Sequence, residues 1–259
     1  MTQAANEYAS LPALSGGLHA FFFDVDGTLA AIQPQPDTVF IPETVCQQLQ
    51  QLSSLCHGAL ALVSGRPIAQ LDGLASPLIA PAAGVYGAER RDAQGETHRT
   101  TLALNVAEAL QPQLQAAMDC WPGTLLEAKG MAFALHYRQA MQHEQDVLDL
   151  AEQVVKRFPA LALQLGKCVV EIKPQGIDKG EATCAFMREA PFTGRIPVFV
   201  GDDLADEKGF LAVNAMQGVS VKIGQGSSQA RYRLPDVEAV YAWLELLILQ
   251  IKQDNVGKE

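Results

Sequence analysis

The stretch His19-Ala20-Phe21-Phe22-Phe23-Asp24-Val25-Asp26-Gly27-Thr28-Leu29 decides the fold. Its first five residues are almost continuously apolar, as expected of a strand covered on both faces of a parallel sheet. Within one residue the chain then switches to acids and a glycine. Two other runs repeat the pattern. Residues 59–63 (ALALV) lead into Ser64-Gly65-Arg66, and residues 196–200 (IPVFV) lead into GDDLADE, Gly201 to Glu207. Helical periods over 42–55, 68–74 and 179–189 lie among them. Strands alternating with helices predict an α/β fold: a Rossmann-like, doubly wound parallel sheet with helices on both faces. A weaker strand over 219–223 (VSVKI) precedes a Gly-rich turn, GQGSS, and the helical VEAVYAWLELLILQI.

The middle of the chain breaks this rhythm. Residues 104–120 read as a helix, and 124–128 with 131–138 as a hairpin around Lys129-Gly130. Residues 141–158 read as a second helix, and 161–165 with 168–173 as a hairpin around Gly166-Lys167. The order α-β-β-α-β-β predicts an α+β module with an antiparallel sheet. It is inserted between the second and third strands of the larger unit. The expected division is a mobile tail over 1–17, a core of 18–103 with 175–259, and an inserted module over 104–174.

With 259 residues, 48% of them hydrophobic, the chain has ample material for a packed core, and a charged fraction of 19% is too low for a disordered chain. A net charge of −10 argues against nucleic acid and anionic membrane as partners. An anionic substrate must then be drawn by local cations and metal. The five cysteines contain no CxxC pair, which suits thiols in a reducing cytoplasm. The N-terminal stretch has no basic residue and no long apolar run, so no signal peptide is expected. The longest apolar stretch, LELLILQI, is too short to span a membrane. A cytoplasmic protein, monomeric and acting on a small molecule, is the expectation.

In an open α/β sheet, ligands bind beyond the carboxyl ends of the strands. The polar turns after the three apolar runs therefore converge on one cleft. Asp24 and Asp26 are two residues apart and start on the same face of an extended chain. Gly27 lets the backbone turn away beneath a ligand. With Asp202 they make an oxygen-rich pocket that suits Mg²⁺, and no His or Cys cluster suggests zinc. A carboxylate facing a phosphate can act as nucleophile, and a second can move the protons. Thr28, Ser64 and Lys179 are placed to hold phosphate oxygens, with Gly65 and Arg66 in the same turn as Ser64. Lys179 opens the helical segment KGEATCAFM, where the helix N-terminus adds to its charge. Taken singly, each motif has a bland reading: a solvated turn for DVDGT or SGR, a capped acidic helix start for GDDLADE. A Ca²⁺ loop at DVDG is disfavoured because its Gly falls too early for an EF-hand and no closing Glu follows.

Together, DVDGT, SGR, Lys179 and GDDLADE resemble the four motifs of the haloacid dehalogenase-like phosphatases. The resemblance implies Asp24 as nucleophile and Asp26 as general acid and base. It implies Mg²⁺ held by the Asp24 side chain, the Asp26 backbone carbonyl and Asp202, with Asp203 and Asp206 supporting the site from behind. It also places the middle module where this superfamily carries a substrate-selecting cap. In that module Glu127, Lys129 and Glu171 interrupt apolar strands near hairpins, a set that suits a polyhydroxylated ligand. The stretches ALVSGR, GAERRD, EAKGMAFALHYRQA, GKCVVEIKP, KGEA and VFVGDDLADE resemble the trehalose-6-phosphate phosphatase family across most of residues 20–235. By that resemblance Glu127 and Lys129 bind the glucose ring distal to the phosphate, and Glu171 is another sugar-binding carboxylate. Arg138 and Lys167 match cap positions near the ligand.

Two positions depart from the family pattern: Ala205 where Thr is frequent, and Tyr86 where His is expected. Loss of the Thr hydroxyl removes a supporting bond but no metal ligand. His136 reads as a strand histidine at the module's surface, with contact to the sugar as the alternative. The implied reaction is Mg²⁺-dependent hydrolysis of trehalose 6-phosphate through an aspartyl-phosphate on Asp24. Other sugar-phosphate phosphatases (a sucrose-phosphate phosphatase, for example), a phosphomutase and a phospho-accepting signalling module are the alternatives. Asp26 and the inserted module weigh against the last.

Overall fold

The computed structural model describes residues 11–33, 35, 38–100 and 104–256. In chain order, β1 (His19–Phe23), α1 (Glu43–Leu55), β2 (Leu60–Val63), α2 (Ile68–Ala75), β3 (Ala82–Gly84), β4 (Glu89–Arg91) and β5 (Thr97–Arg99) come first. Then follow α3 (Leu104–Met118), β6 (Leu125–Ala128), β7 (Phe133–His136), α4 (Glu144–Arg157), β8 (Leu161–Gly166) and β9 (Val169–Pro174). The chain ends with α5 (Lys179–Met187), β10 (Ile196–Gly201), α6 (Asp206–Ala215), β11 (Val219–Ile223), β12 (Tyr232–Leu234) and α7 (Val237–Val256).

Eight strands form one sheet in the order β12-β11-β10-β1-β2-β3-β4-β5. The first six run parallel, while β4 and β5 add an antiparallel edge. The apolar runs foretold four of the six parallel strands, β1, β2, β10 and β11, whereas the three-residue β3 and β12 are too short to show a run. The three-residue edge strands lie in a polar, Arg-rich segment and carry no such period. β1 lies centrally, with Phe22 opposite Ala61 of β2 and Phe199 of β10. Successive strand residues face opposite sides. Phe22 stacks on Phe192 at 5.4 Å and meets Phe186 of α5 at 6.0 Å, whereas Phe23 meets Trp243 of α7 at 6.3 Å. This is why the run from Ala20 to Phe23 is apolar at every position: helices cover both faces. Burying each phenylalanine contributes roughly 1.5–3 kcal/mol.

The other four strands form an antiparallel sheet in the order β6-β7-β9-β8. Phe133, Leu135, Val170 and Ile172 of its central strands pack with Leu110 and Leu114 of α3 and Val147 and Ala151 of α4. This cluster is distinct from the one under the large sheet. A small apolar seam joins the two units, Val85 and Ala88 on one side and Met131 and Ala132 on the other.

The expected N-terminal tail needs correction. Of residues 1–17, residues 1–10 lie outside the described ones, but 11–17 pack against the large unit. Leu14 is buried in the main core, and Ser15 donates its N–H to His19 Nδ1 at 2.9 Å. A single buried leucine is too short a pattern to register as an element. No described helix is long and apolar enough to cross a membrane.

Candidate active site

A cavity of about 750 Å³ opens at the carboxyl ends of β1, β2 and β10, where strand order reverses about β1. That size suits a drug- or disaccharide-sized ligand. The small sheet supplies the facing wall with Glu127, Lys129 and Glu171. Every catalytic, binding and metal candidate read from the sequence lines this cavity except Thr28 and Asp206.

Asp24 follows β1 directly. Its N–H donates to the Val200 carbonyl at 2.9 Å, so the sheet ladder fixes its backbone. Its buried Oδ1 accepts from Lys179 Nζ at 2.7 Å, and the same ammonium donates to Asp206 Oδ1 at 2.7 Å. Lys179 is the first residue of α5, capped by Asp178, which accepts the Glu181 N–H at 2.8 Å. Asp206 Oδ2 in turn accepts the N–H groups of Asp202 and Asp203, each at 2.9 Å. Asp206 thus stands behind the wall, with both oxygens occupied. Asp203 accepts the Ala205 N–H at 2.8 Å, which holds the turn without the hydroxyl that position 205 lacks.

Gly27 has φ +82°, and a Cβ there would lie 2.1 Å from Asp202 Oδ2. Only glycine lets the first and third acidic turns meet so closely. Beyond it the chain folds back, Gly27 donating to Ala30 and Thr28 to Val25. Thr28 is consequently fully buried, its hydroxyl without a partner among the described residues, and it does not reach the cavity wall. This corrects its expected contact with phosphate.

The acids outnumber the cations. Burial, then the Asp206 charge, pushes the Asp24 carboxyl well above the usual range, against the pull of Lys179. Burial with the charges of Asp206 and Asp203 raises Asp202 to about 7, and burial raises Asp206 to about 6 against Lys179. Burial alone would lower the Lys179 ammonium, but the charges of Asp206 and Asp24 outweigh it and hold its pKa well above the usual value. Asp24, Asp202 and Asp206 each offer an oxygen within 4.8 Å of the others. Asp202 Oδ1 is buried with no partner among the described residues. Lys222 Nζ bonds the Asp202 main-chain carbonyl, not its carboxylate. A buried set of oxygens with unneutralised charge fits a hard divalent cation, and Asp24 and Asp202 are the members with capacity left for one.

At the second strand end, Arg66 grips Asp26 through both oxygens, Nε to Oδ2 at 2.6 Å and Nη2 to Oδ1 at 2.7 Å. Ser64 Oγ accepts the Arg66 N–H at 3.2 Å. On the facing wall, Lys129 Nζ donates to Glu171 Oε1 at 2.7 Å and to the Gly65 carbonyl at 3.0 Å. Glu127 pairs with His136 at 2.9 Å, and this bond, with the Lys129 charge, holds its carboxyl below the usual range. Arg138 Nη2 donates to the Lys167 carbonyl at 2.8 Å. His136 lies in the cavity wall, on the face of the smaller unit that its alternative reading required.

Sequence reading missed the part Tyr86 plays. Its hydroxyl donates to Glu171 Oε1 at 3.1 Å, and its backbone has φ +61° between Gly84 and Gly87. A bulky polar aromatic flanked by glycines at a strand end was the available signal.

Known structures share this architecture. The C-terminal domain of Candida albicans trehalose-6-phosphate phosphatase aligns with TM-score 0.79 at 22% identity, covering 93% of this chain and 98% of that one. A haloacid dehalogenase-like hydrolase from Bacteroides thetaiotaomicron aligns with TM-score 0.63 at 15% identity, covering 89% and 99%. The fold is that of the haloacid dehalogenase-like hydrolases. The sequence profile described as trehalose-phosphatase matches residues 22–238. Escherichia coli (strain K12) trehalose-6-phosphate phosphatase is 53% identical over 98% of this chain and 95% of its own, and a probable trehalose-phosphate phosphatase of Sinorhizobium fredii is 41% identical over 92% of each. The chain belongs to the trehalose-phosphatase family.

Proposed function

We propose that the protein hydrolyses trehalose 6-phosphate to trehalose and phosphate. The observation that carries this reading is one cavity walled by the Asp24 cluster on one side and by Glu127, Lys129 and Glu171 on the other. The first can transfer phosphate, and the second offers both acceptors and donors to sugar hydroxyls.

Residues 18–103 and 175–259 form the catalytic core in this reading, and 104–174 the cap that selects substrate. Asp24 attacks phosphorus, and the bond from phosphorus to the sugar oxygen breaks. Asp26 protonates the departing oxygen. It then takes a proton from water, which attacks the aspartyl-phosphate and releases phosphate, regenerating Asp24. Lys179 keeps Asp24 aimed and offsets its charge, while Ser64, Gly65 and Arg66 face the phosphate. Arg66 holds Asp26 by both oxygens before substrate arrives, and an entering phosphate competes for that guanidinium and releases the carboxyl for proton transfer. A Mg²⁺ ion held by Asp24, Asp202 and the Asp26 carbonyl would supply positive charge to the phosphate oxygens. Asp203 and Asp206 brace these groups. Glu127 and Lys129 serve the ring distal to the phosphate, with Arg138 and Lys167 near the ligand. Free thiols at all five cysteines fit a reducing cytoplasm.

Phosphate release from trehalose 6-phosphate, sucrose 6-phosphate and glucose 6-phosphate, each with and without Mg²⁺, tests the reading. A rate on trehalose 6-phosphate no better than on the other two would overturn the substrate. A rate indifferent to chelation would overturn the metal.

A further inference from the structure

Tyr86 occupies a strained, enclosed position. It lies on the core side of the cavity with φ +61°, next to Val85 at φ +47°, a conformation that β-branched residues rarely adopt. The seam of Val85 and Ala88 against Met131 and Ala132 holds this turn onto the smaller unit. The ring sits over Gly65, where a Cβ would lie 2.7 Å from its Oη, and under Lys173, whose Nζ is 4.8 Å from the ring centroid. Burial and the adjacent Glu171 charge raise the phenol pKa well above its usual value, so it remains a proton donor. Its hydroxyl and Lys129 Nζ both bond the same atom, Glu171 Oε1. The other oxygen, Oε2, is buried and has no partner among the described residues. A buried carboxylate oxygen without a partner is costly unless a ligand completes it.

We propose that Tyr86 is a specificity-determining positioning residue: by bonding Glu171 Oε1 from the core side, it fixes the carboxylate so that Oε2 is left to accept a hydroxyl of the bound sugar. The inference deepens the proposed function and rests on it. Tyr86 acts through Glu171 and needs no contact with the reacting phosphate. Because the phenol comes from the core and the acid from the smaller unit, the bond also ties sugar recognition to the seating of one unit on the other.

The test compares Tyr86→Phe, Glu171→Gln and the double variant on trehalose 6-phosphate and on p-nitrophenyl phosphate, which has no sugar hydroxyl. Thermal melting confirms that each is folded, and Phe keeps the ring over Gly65 and under Lys173. Tyr86→Phe is expected to raise KM for trehalose 6-phosphate by about fivefold to tenfold, the worth of one buried hydrogen bond, with a smaller change in kcat. The loss on p-nitrophenyl phosphate is expected to be clearly smaller. In the double variant the loss is expected to match that of Glu171→Gln alone, because both changes act on one contact. Equal losses on both substrates, or additive losses in the double variant, would overturn the role. If the wild type turns over trehalose 6-phosphate and Tyr86→Phe leaves KM unchanged, the inference alone falls. If the wild type does not turn over trehalose 6-phosphate, the proposed function falls and takes the inference with it.

Discussion

Along the large-sheet wall and just behind it four acids, Asp24, Asp202, Asp203 and Asp206, outnumber the buried ammoniums of Lys179 and Lys222, whereas on the small-sheet wall each acid has its own base. Glu127 pairs with His136 and Glu171 with Lys129. The first arrangement is electrostatically incomplete, and burial makes the surplus charge costly. The second is nearly balanced and keeps donors and acceptors side by side. In the proposed function the metal and the phosphate belong to the first wall and the neutral, hydroxyl-rich group to the second. The largest effects should therefore come from breaking the incomplete wall.

Asp24→Asn is the sharpest break. The amide oxygen still accepts from Lys179 Nζ, so the fold stands, but it is not a nucleophile. Turnover of trehalose 6-phosphate should fall by about 10³-fold or more, measured as phosphate release, while binding of the substrate by calorimetry persists. Retention of a tenth of the wild-type rate would remove Asp24 from the nucleophile's role.

Lys129→Met breaks the balanced wall instead. It leaves Glu171 without its ammonium and the Gly65 carbonyl without its donor. A loss of about 10²-fold in kcat/KM is expected for trehalose 6-phosphate, the cost of leaving one partner of a buried charged pair alone. The loss on p-nitrophenyl phosphate should be at least tenfold smaller. Comparable losses on both esters would place Lys129 among the groups that serve the phosphate.

Completion of the acidic wall can be read without turnover. Mg²⁺ at about 100 times its Kd should stabilise the folded protein by about 2.7 kcal/mol, seen as a rise in melting temperature. Asp202→Asn should abolish most of that rise. An Asp202→Asn protein that responds to Mg²⁺ like the wild type would move the cation elsewhere.

How much of this was legible in the sequence follows from range of interaction. The acidic wall was readable because each of its turns follows a strand whose apolar run announces both the strand and its end. FFF before Asp24 and VFV before Gly201 fix two of the three corners by local pattern. The pairs across the cavity were not readable. Tyr86 and Glu171 are separated by 85 residues, and Lys129 and the Gly65 carbonyl by 64. Their meeting depends on how one unit seats on the other. Thr28 shows the converse limit. Its position after DVDG suggested a phosphate ligand, but the turn over Gly27 carries it into the core. The edge strands Glu89–Arg91 and Thr97–Arg99 escaped notice because neither has a buried face long enough to impose a period.

The smallest expected effect separates two of the buried lysines, Lys179 and Lys173. Lys179 meets two carboxylates, whereas Lys173, also buried, bonds among the described residues to the Gln164 amide oxygen at 3.2 Å and lies over the Tyr86 ring, with the Asp178 and Glu171 charges acting on it without a direct bond. Burial lowers its pKa from the usual 10.5 to about 8. The unfolded chain therefore binds the proton more tightly, so Lys173 weakens the folded state below about pH 8, and that penalty is relieved as pH rises toward 10.5. The full penalty is at most about 3 kcal/mol, offset by a cation–π contact of about 2 kcal/mol when desolvated. Lys173→Met keeps the bulk and removes the charge. It should raise the urea midpoint at pH 7, by the equivalent of about 1 kcal/mol, and flatten the rise in stability between pH 8 and pH 10 relative to the wild type. A variant less stable than wild type at pH 7 would mean that the ring and the amide compensate the charge fully, so that the buried Lys173 carries no net cost.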